Sequence, residues 1–297
     1  MDIRFGPISN APDAAPGLPG TALQQHPLYA QTLARLGVAC MVADITDGGQ
    51  SIGRAQIFNR RFGPLRAAWV PRWPVWVPDI PHNLRRAAVA HLPRAAPWGA
   101  LWARMPDHGH APGLRVAAAP LVAELDLTPD SATRRAAQHG KWRNRLRRAE
   151  GAGLHVSLRA LDLPVDATLL MQELTQRRAR RYAGLPARFT EGWPPGQTLL
   201  ATAHSAPDTA PLAFMLFLLH APTATYHMGW SSDQGRTVNA HTLLLWRAAD
   251  HLATQGFERL DLGLTDPART PGLARFKQGS GAKIRRLGAT TLTARLL

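Results

Sequence analysis

Two apolar runs, PLAFMLFLLHA and ATYHMGWSS, are separated only by a short turn at Pro222, and this spacing constrains the chain more than any other feature. Runs this close together read as the two strands of a hairpin. A helix, AHTLLLWRAADHLATQG, follows, with Leu244, Trp246, Arg247 and His251 phased by three or four and Gly256 as its C-terminal stop. The strand RLDLGL comes next. Upstream lie a basic helix over about 131–152, a strand LHVSLRA, a helix ATLLMQELTQRRARRYAG and an irregular Pro/Gly stretch.

The first half mixes elements in the same way. HPLYAQTLARLG reads as a short helix with Leu28, Leu33 and Leu36 near one side, ended by Gly37. Strand-like runs VACMVADI, SIGRAQIFNRR and LRAAWVPRWPVWV follow, then helical residues at 83–92 and the strand material GLRVAAAPLVAELDL. Trp69, Trp73 and Trp76 among prolines suit a strand end or groove wall, either as core or stacked on a ligand ring. At DLTPDSA, Thr128 or Asp130 can cap a new helix with Pro129 near its first turn. The domain boundary is therefore expected there, giving domains 1–128 and 129–297.

A length of 297 residues, about twice that of a typical domain, fits two such domains. The composition is that of a folded globular protein. Cys40 is the sole cysteine, in an apolar run, which excludes a disulfide framework or a cysteine-based metal site and reads as a buried thiol. No secretory leader pattern and no run of about 18 apolar residues occurs. The expected location is cytoplasmic, without a transmembrane segment.

With 35 Lys+Arg against 20 Asp+Glu the net charge is +15, a balance that attracts phosphates of nucleic acids, nucleotides or lipid headgroups. The distribution is uneven. RRAAQHGKWRNRLRRAEGAGL places basic residues at 134, 135, 141, 143, 145, 147 and 148 before the first acid, Glu150. On a helix Trp142, Leu146 and Ala149 anchor one face, Arg143 and Arg147 lie one turn apart, and Lys141, Arg145 and Arg148 line another side. A merely solvated face would alternate its charges, so part of this helix is expected to contact phosphate.

Four segments in order, KWRNRLRRAEGAGLHV, TYHMGWSS, LATQGFERLDLGL and GLARFKQGSGA, resemble the Fem-type aminoacyltransferases, and VPRWPVW resembles that family's Arg-Gly-Pro strand motif. Trp73 stands where the family usually has glycine, and Ser280 where an aromatic is common. The resemblance covers most of the chain and rests most on RFKQGSG following DLG. It implies an α/β fold of two tandem GNAT-like acyltransferase domains, each a mixed bent sheet flanked by helices. The second domain is to carry most site residues, and roughly the last ten residues of the chain are left able to pair back with the first, as chain termini in neighbouring regions often do. The implied activity moves an aminoacyl group from aminoacyl-tRNA to an amine of a cell-wall precursor or small molecule. Aminoacyl-tRNA is the co-substrate, with no cofactor and no metal, the acceptor is anionic and amine-bearing, and peripheral contact with the inner membrane face is compatible with it.

Lysine occurs only at 141, 277 and 283, so the lysine of the Phe-Lys pair is a marked choice. The resemblance implies that Lys277 handles negative charge at the reaction centre. Acyl transfer from ester to amine develops an oxyanion, and a compact ammonium on a flexible stem can follow that oxygen where a planar guanidinium prefers two acceptors. Asp261 in LDLGL is the carboxylate candidate for orienting or deprotonating the amine; as a structural residue it would bond nearby backbone. Tyr226 is the third catalytic candidate. The substrate-binding candidates are Arg143, Arg147, Lys141, Arg236, Phe276, Arg72 and Trp73. His108 and His110 read as loop rather than metal ligands. Two rivals stand beside this reading. One is an acyl-CoA-dependent N-acyltransferase of the same fold, although SSDQGRTVNAHTLLLW keeps Gln234, Gly235 and Arg236 but not the later glycine-like positions of a pyrophosphate loop. The other is a non-catalytic nucleic-acid-binding protein.

Overall fold

A computed structural model of the chain describes residues 1–8, 21–62, 65–73, 75–96, 101–182 and 184–294; most of the Pro/Gly-rich N-terminal stretch, 9–20, lies outside them. The first half supplies β1 (Asp2–Pro7), α1 (Pro27–Arg35), β2 (Cys40–Asp47), β3 (Gln50–Phe62), β4 (Leu65–Trp73), β5 (Val75–Trp76), α2 (His82–Ala95), β6 (Leu101–Pro106) and β7 (Leu114–Ala117). The second supplies β8 (Leu121–Asp126), α3 (Ser131–Ala136), α4 (Gly140–Glu150), β9 (His155–Arg159), α5 (Leu163–Arg180), α6 (Ala187–Gly192), β10 (Thr198–His204), β11 (Ala213–His220) and β12 (Thr223–Ser231). It continues with α7 (Asp233–Thr237), α8 (Ala240–Thr254), β13 (Arg259–Thr265), α9 (Pro271–Gly279), β14 (Lys283–Arg286) and β15 (Thr290–Ala294).

These elements form two units, each with its own mixed sheet. Met1–Pro120 and Arg286–Leu297 make the first, and Leu121–Arg285 the second. The first sheet runs β1-β2-β3-β4-β6-β15-β7, with β5 on β3. The second runs β14-β8-β13-β12-β11-β10-β9. The expected boundary at 128 is thus corrected to the Pro120–Leu121 junction. GLRVAAAPLVAELDL is not one strand: it breaks at 118–120, where Pro120 has no N–H to give to a ladder. Its second part, β8, pairs antiparallel with β13, Leu125 opposite Leu260 and Glu124 opposite Asp261. At the other end β15 returns to the first sheet between β6 and β7.

The hairpin of β11 and β12 is the centre of the second unit. AFMLFLLH is buried almost throughout rather than alternately, because helices cover both faces of the sheet. On one face Ala213, Met215 and Phe217 pack with Leu244, Leu245 and Trp246 of α8 and with Trp142 and Leu146 of α4. On the other, Phe214 and Leu216 pack with Leu169 of α5. Each large side chain buried this way contributes about 1.5–3 kcal/mol.

The basic segment, expected as one helix over about 131–152, is two. Asp130 caps α3, accepting from Thr133 N at 2.8 Å. The chain then turns extended at His139, whose Nδ1 accepts from Lys141 N at 3.3 Å and whose own N donates to Gly279 O at 3.0 Å. A tertiary hydrogen bond to α9 and a fresh cap therefore replace continuous helix. The buried stripe Trp142, Leu146, Ala149 of α4 is the one its spacing predicts.

Candidate active site at a fork in the second sheet

The strands β12 and β13 are parallel neighbours only over Thr223–Thr225 and Arg259–Asp261. Beyond Thr225 and Asp261 they pair no further, so the sheet forks there. Tyr226 is the first residue of β12 past the fork, and Asp261 is the last paired residue of β13.

Each arm is shaped by an irregularity. In β12 Tyr226 pairs with Phe217 and Met228 with Leu216, leaving His227 as an extra residue between them. Such a bulge re-aims its neighbours. The Tyr226 ring tilts on Phe217 at 5.8 Å between centroids. In β13 the pairing with β8 shifts between Asp261 and Leu264, and Gly263 sits at φ 79°, where a side chain would be strained. That turn lets Gly263 N donate to Asp261 Oδ1 at 2.6 Å.

The helix α9 brings Lys277 to the same place. The side chain is only 5% exposed, and its Nζ donates to Leu264 O at 2.7 Å. Burial pushes the Lys277 pKa down to about 8, against the opposite pull of the Asp261 carboxylate. It is therefore still chiefly an ammonium at pH 7. Asp261 is likewise buried, at 3% exposure. The helix is seated by α4: Phe276 lies 6.3 Å from Trp142 between ring centroids, and Gly279 packs so tightly that an added Cβ would stand 2.9 Å from Trp142 Cδ1. Ser280 Oγ closes the helix end on Lys277 O at 2.6 Å.

Tyr226 stays a neutral phenol, because burial raises its pKa, assisted by Tyr182 and Glu173 nearby. These two belong to a cluster on α5 and just past its end that sequence reasoning did not single out. Glu173 is buried and accepts from Tyr182 OH at 3.0 Å, while Gln176 Nε2 donates to Tyr182 OH at 3.2 Å and to Gly229 O at 3.3 Å. The available signal was Glu173 itself, an acid four residues after Leu169 on the buried side of the helix. Two histidines nearby are held neutral. His227 is pushed down to about 4 by burial and then by Arg177, with Thr190 Oγ1 at 2.8 Å from its Nε2. His241 is lowered chiefly by burial, its Nε2 lying 3.0 Å from Trp230 O and 3.2 Å from Phe214 O.

The structure thus brings Lys277 and Asp261 together at the fork, with Phe276 beside Lys277, while Tyr226 follows the fork on β12 with its ring on Phe217 and Tyr182 and Glu173 as its charged or titratable neighbours. The other binding candidates fare differently. Lys141 and Arg147 are exposed on α4, but Arg143 is committed to structure, donating from Nη1 to Ala136 O at 2.7 Å and Gln138 O at 2.9 Å. Arg236 donates to Ser231 O at 2.5 Å and pairs with Asp233. Arg72 and Trp73 belong to the first unit. Arg72 is buried and paired with Asp107 at 2.7 Å. Trp73 is completely buried in that unit's core with Val70, Leu92 and Trp102. The expectation that it contacts substrate is corrected: it has no surface to offer. Cys40 is half-buried, burial raising its thiol to about 12, far from a nucleophile's range. Among the described residues no three His, Cys, Asp or Glu side chains gather as metal ligands, and no helix is long and apolar enough to cross a membrane.

The segment between β12 and α8 is a helix, not a loop. Ser232 Oγ accepts from Gly235 N at 3.0 Å, and Arg236 N, Val238 N and Asn239 N donate to Ser232 O, Gln234 O and Arg236 O. These four amides are spent within and just after α7.

Comparison with known proteins agrees with this geometry. Residues 136–278 match the acetyltransferase (GNAT) domain family. No curated protein matches the chain in sequence. Among solved structures, FemX superposes with a TM-score of 0.73 at 13% identity, over 92% of this chain and 92% of that one. The C-terminal domain of a putative lysylphosphatidylglycerol synthetase from Agrobacterium fabrum gives 0.56 at 18% identity, over 92% and 88%. A tandem GNAT protein from the clavulanic acid biosynthesis pathway gives 0.52 at 13%, over 99% and 98%. At these identities the likeness is one of fold.

Proposed function

We propose that this protein, a GNAT-superfamily acyltransferase with the fold of FemX, transfers an aminoacyl group from aminoacyl-tRNA to an amine. That it is an acyl-transferring enzyme is the premise; the donor and the acceptor are the proposal. The observation that carries the donor is α7. An acyl-CoA enzyme needs free backbone N–H groups where the pyrophosphate meets a helix N-terminus, whereas here those of Gly235, Arg236, Val238 and Asn239 are bonded within the turn. A net charge of +15 and the exposed Lys141, Arg145, Arg147 and Arg148 on α4 support a polynucleotide donor.

In this reading the acceptor amine attacks the ester carbonyl at the fork. Asp261, buried beside Lys277, orients the amine and takes its proton. The Lys277 ammonium faces the oxygen on which negative charge develops. Tyr226, neutral and with no hydrogen bond among the described residues, donates its hydroxyl to the same carbonyl or to the leaving ribose oxygen. The tetrahedral intermediate collapses to an amide, the C–O bond breaks, and the proton passes to the released tRNA hydroxyl. No covalent enzyme intermediate is needed, so alignment carries much of the rate. The acceptor is an amine of a cell-wall precursor or small molecule. The reaction belongs in the cytoplasm, where charged tRNA is made, with the inner membrane face within reach of a basic protein.

The match to an acetyltransferase domain favours a second reading, acyl-CoA as donor. Incubation of the purified protein with charged tRNA, acetyl-CoA and longer acyl-CoAs, each with an extract of small amines, separates the two. We expect consumption of the aminoacyl ester and acetyl-CoA binding weaker than about 100 µM, since phosphate contacts without a preorganised loop leave ordering costs unmet. Consumption of an acyl-CoA alone would overturn the donor assignment.

A further inference from the structure

Three buried side-chain atoms of the second unit, Arg134 Nε, Gln138 Oε1 and Trp142 Nε1, have no hydrogen-bond partner among the described residues, and their residues wall one small cavity. Ser280, Leu127 and Ala249 share that wall. Gln138 and Trp142 are each 3% exposed and Ser280 5%. Polar atoms left alone at this depth are costly. Their neighbours do not relieve them. Arg134 donates from Nη1 to Leu127 O at 3.2 Å and Pro129 O at 2.5 Å, and from Nη2 to Asp250 at 2.6 Å, which leaves Nε over. Gln138 stands in the joint between α3 and α4. The pyrrole edge of Trp142 faces the end of α9, since its Cδ1 is the atom that an added Cβ on Gly279 would meet at 2.9 Å. Ser280 Oγ gives its proton to Lys277 O, so any further bond it makes is as an acceptor.

The cavity measures about 20 Å³, room for one water molecule and too little for an organic ligand. Its polar atoms suit that guest. Trp142 Nε1 and Arg134 Nε are donors, Gln138 Oε1 and Ser280 Oγ are acceptors, and water offers two lone pairs and two protons in return. We infer that this cavity is a binding site for one water, which accepts from Trp142 and Arg134, donates to Gln138 and Ser280, and so joins α3 and α4 to the C-terminal end of α9. A reversed Gln138 amide would aim a third donor at the same oxygen, so the chemistry also fixes the orientation of that side chain. The helix that carries Lys277 is then held at its far end through solvent as well as by the direct bond from His139 N to Gly279 O at 3.0 Å. The inference does not depend on the donor or acceptor assigned to the fork. Buried waters ordinarily make about three bonds. Loss of one partner should therefore be tolerated, and displacement of the water should not.

The test reads the indole N–H of Trp142 by NMR in the intact isotope-labelled protein, its signal assigned by its absence in Trp142→Phe. We expect this proton to cross-relax with a long-lived water. Ser280→Ala should keep that signal, because Arg134, Gln138 and Trp142 still hold the water. Loss of the signal in Ser280→Ala would trace it to exchange through the serine hydroxyl and overturn the inference. Ala249→Val places two methyl groups in the cavity and removes none of the polar atoms. We expect it to abolish the water signal and to lower the melting temperature by about 2–4 °C, because three buried polar atoms lose their partner. A dry cavity would respond with the opposite sign, since filling it adds apolar contact. A wild type without the water signal, an Ala249→Val variant that keeps it, or one that melts no lower than wild type would each overturn the inference. Should Ala249→Val fail to fold, the wild-type and Ser280→Ala spectra decide the matter between them.

Discussion

The Lys277 ammonium donates to the Leu264 carbonyl at 2.7 Å, just past the turn at Gly263 where the register of β13 on β8 shifts between Asp261 and Leu264. One hydrogen bond thus ties the Lys277 ammonium of α9 to the arm of the fork that also carries Asp261. The bond uses one of three ammonium protons.

The protonation of Lys277 sets a limit on the alkaline side. Its pKa is lowered to about 8, chiefly by burial, so the ammonium is present below that pH and lost above it. As an oxyanion partner it is needed charged, and kcat for bound substrate should fall as pH rises through about 8. A base role would give the opposite slope. Asp261→Asn removes the influence that raises the Lys277 pKa and should shift this limb to lower pH. In Lys277→Arg the limb should vanish, because a guanidinium does not deprotonate in this range. Single-turnover rates against pH, at saturating substrate, read all three.

Two neighbouring arginines of α4 should separate stability from binding. Arg143→Ala removes the donor that satisfies Ala136 O and Gln138 O at the end of α3, and should cost about 1–2 kcal/mol in a denaturant melt. Arg147→Ala, whose exposed side chain makes one long hydrogen bond, 3.4 Å to Asn144 Oδ1, beside the charge of Glu150, should leave the melt unchanged within about 0.5 kcal/mol and flatten the salt dependence of tRNA binding by about one unit of slope. Equal effects of both on tRNA with none on stability would contradict this division.

Tyr226→Phe keeps the ring on Phe217 and deletes a hydroxyl that bonds nothing else among the described residues. Stability should hold, while kcat drops by about tenfold to a hundredfold, the scale of one neutral donor to the reacting carbonyl. An unchanged kcat would make Tyr226 part of the wall and not of the chemistry.

The sequence carried the class of fold and the local patterns of the candidate site, and little of how the strands are arranged around it. Lys277 and Asp261 could be singled out as candidates because DLG and the Phe-Lys pair are short, local patterns, and the hairpin and α8 were legible because apolar spacing and Gly256 are local too. The fork was not legible: it depends on β12 and β13 pairing for three residues and then parting, a fact of non-local register. Trp73 was misplaced for a related reason. Tryptophan beside proline looks the same in sequence whether it lines a groove or fills a core, and only the packing of Leu92 and Trp102 around it decides. Arg143 looked like a phosphate ligand because charge, not hydrogen bonding, is what a sequence displays. The helix expected over about 131–152 broke at His139 because Gly279, 140 positions away, takes its N–H. That β8 belongs to the second sheet had no local sign beyond Pro120, because its partner β13 lies far along the chain.

The most direct test of the account is aminoacyl transfer by Lys277→Met and Lys277→Arg, followed in a single turnover with charged tRNA and acceptor, with folding checked by melting. Methionine fills nearly the same buried space without charge. The account predicts that Lys277→Met folds and binds charged tRNA normally but loses kcat and kcat/KM together by about 10²–10³-fold, as expected for one lost oxyanion partner, and that Lys277→Arg recovers only part of the rate. A methionine variant as fast as wild type would contradict it and place the chemistry away from the fork.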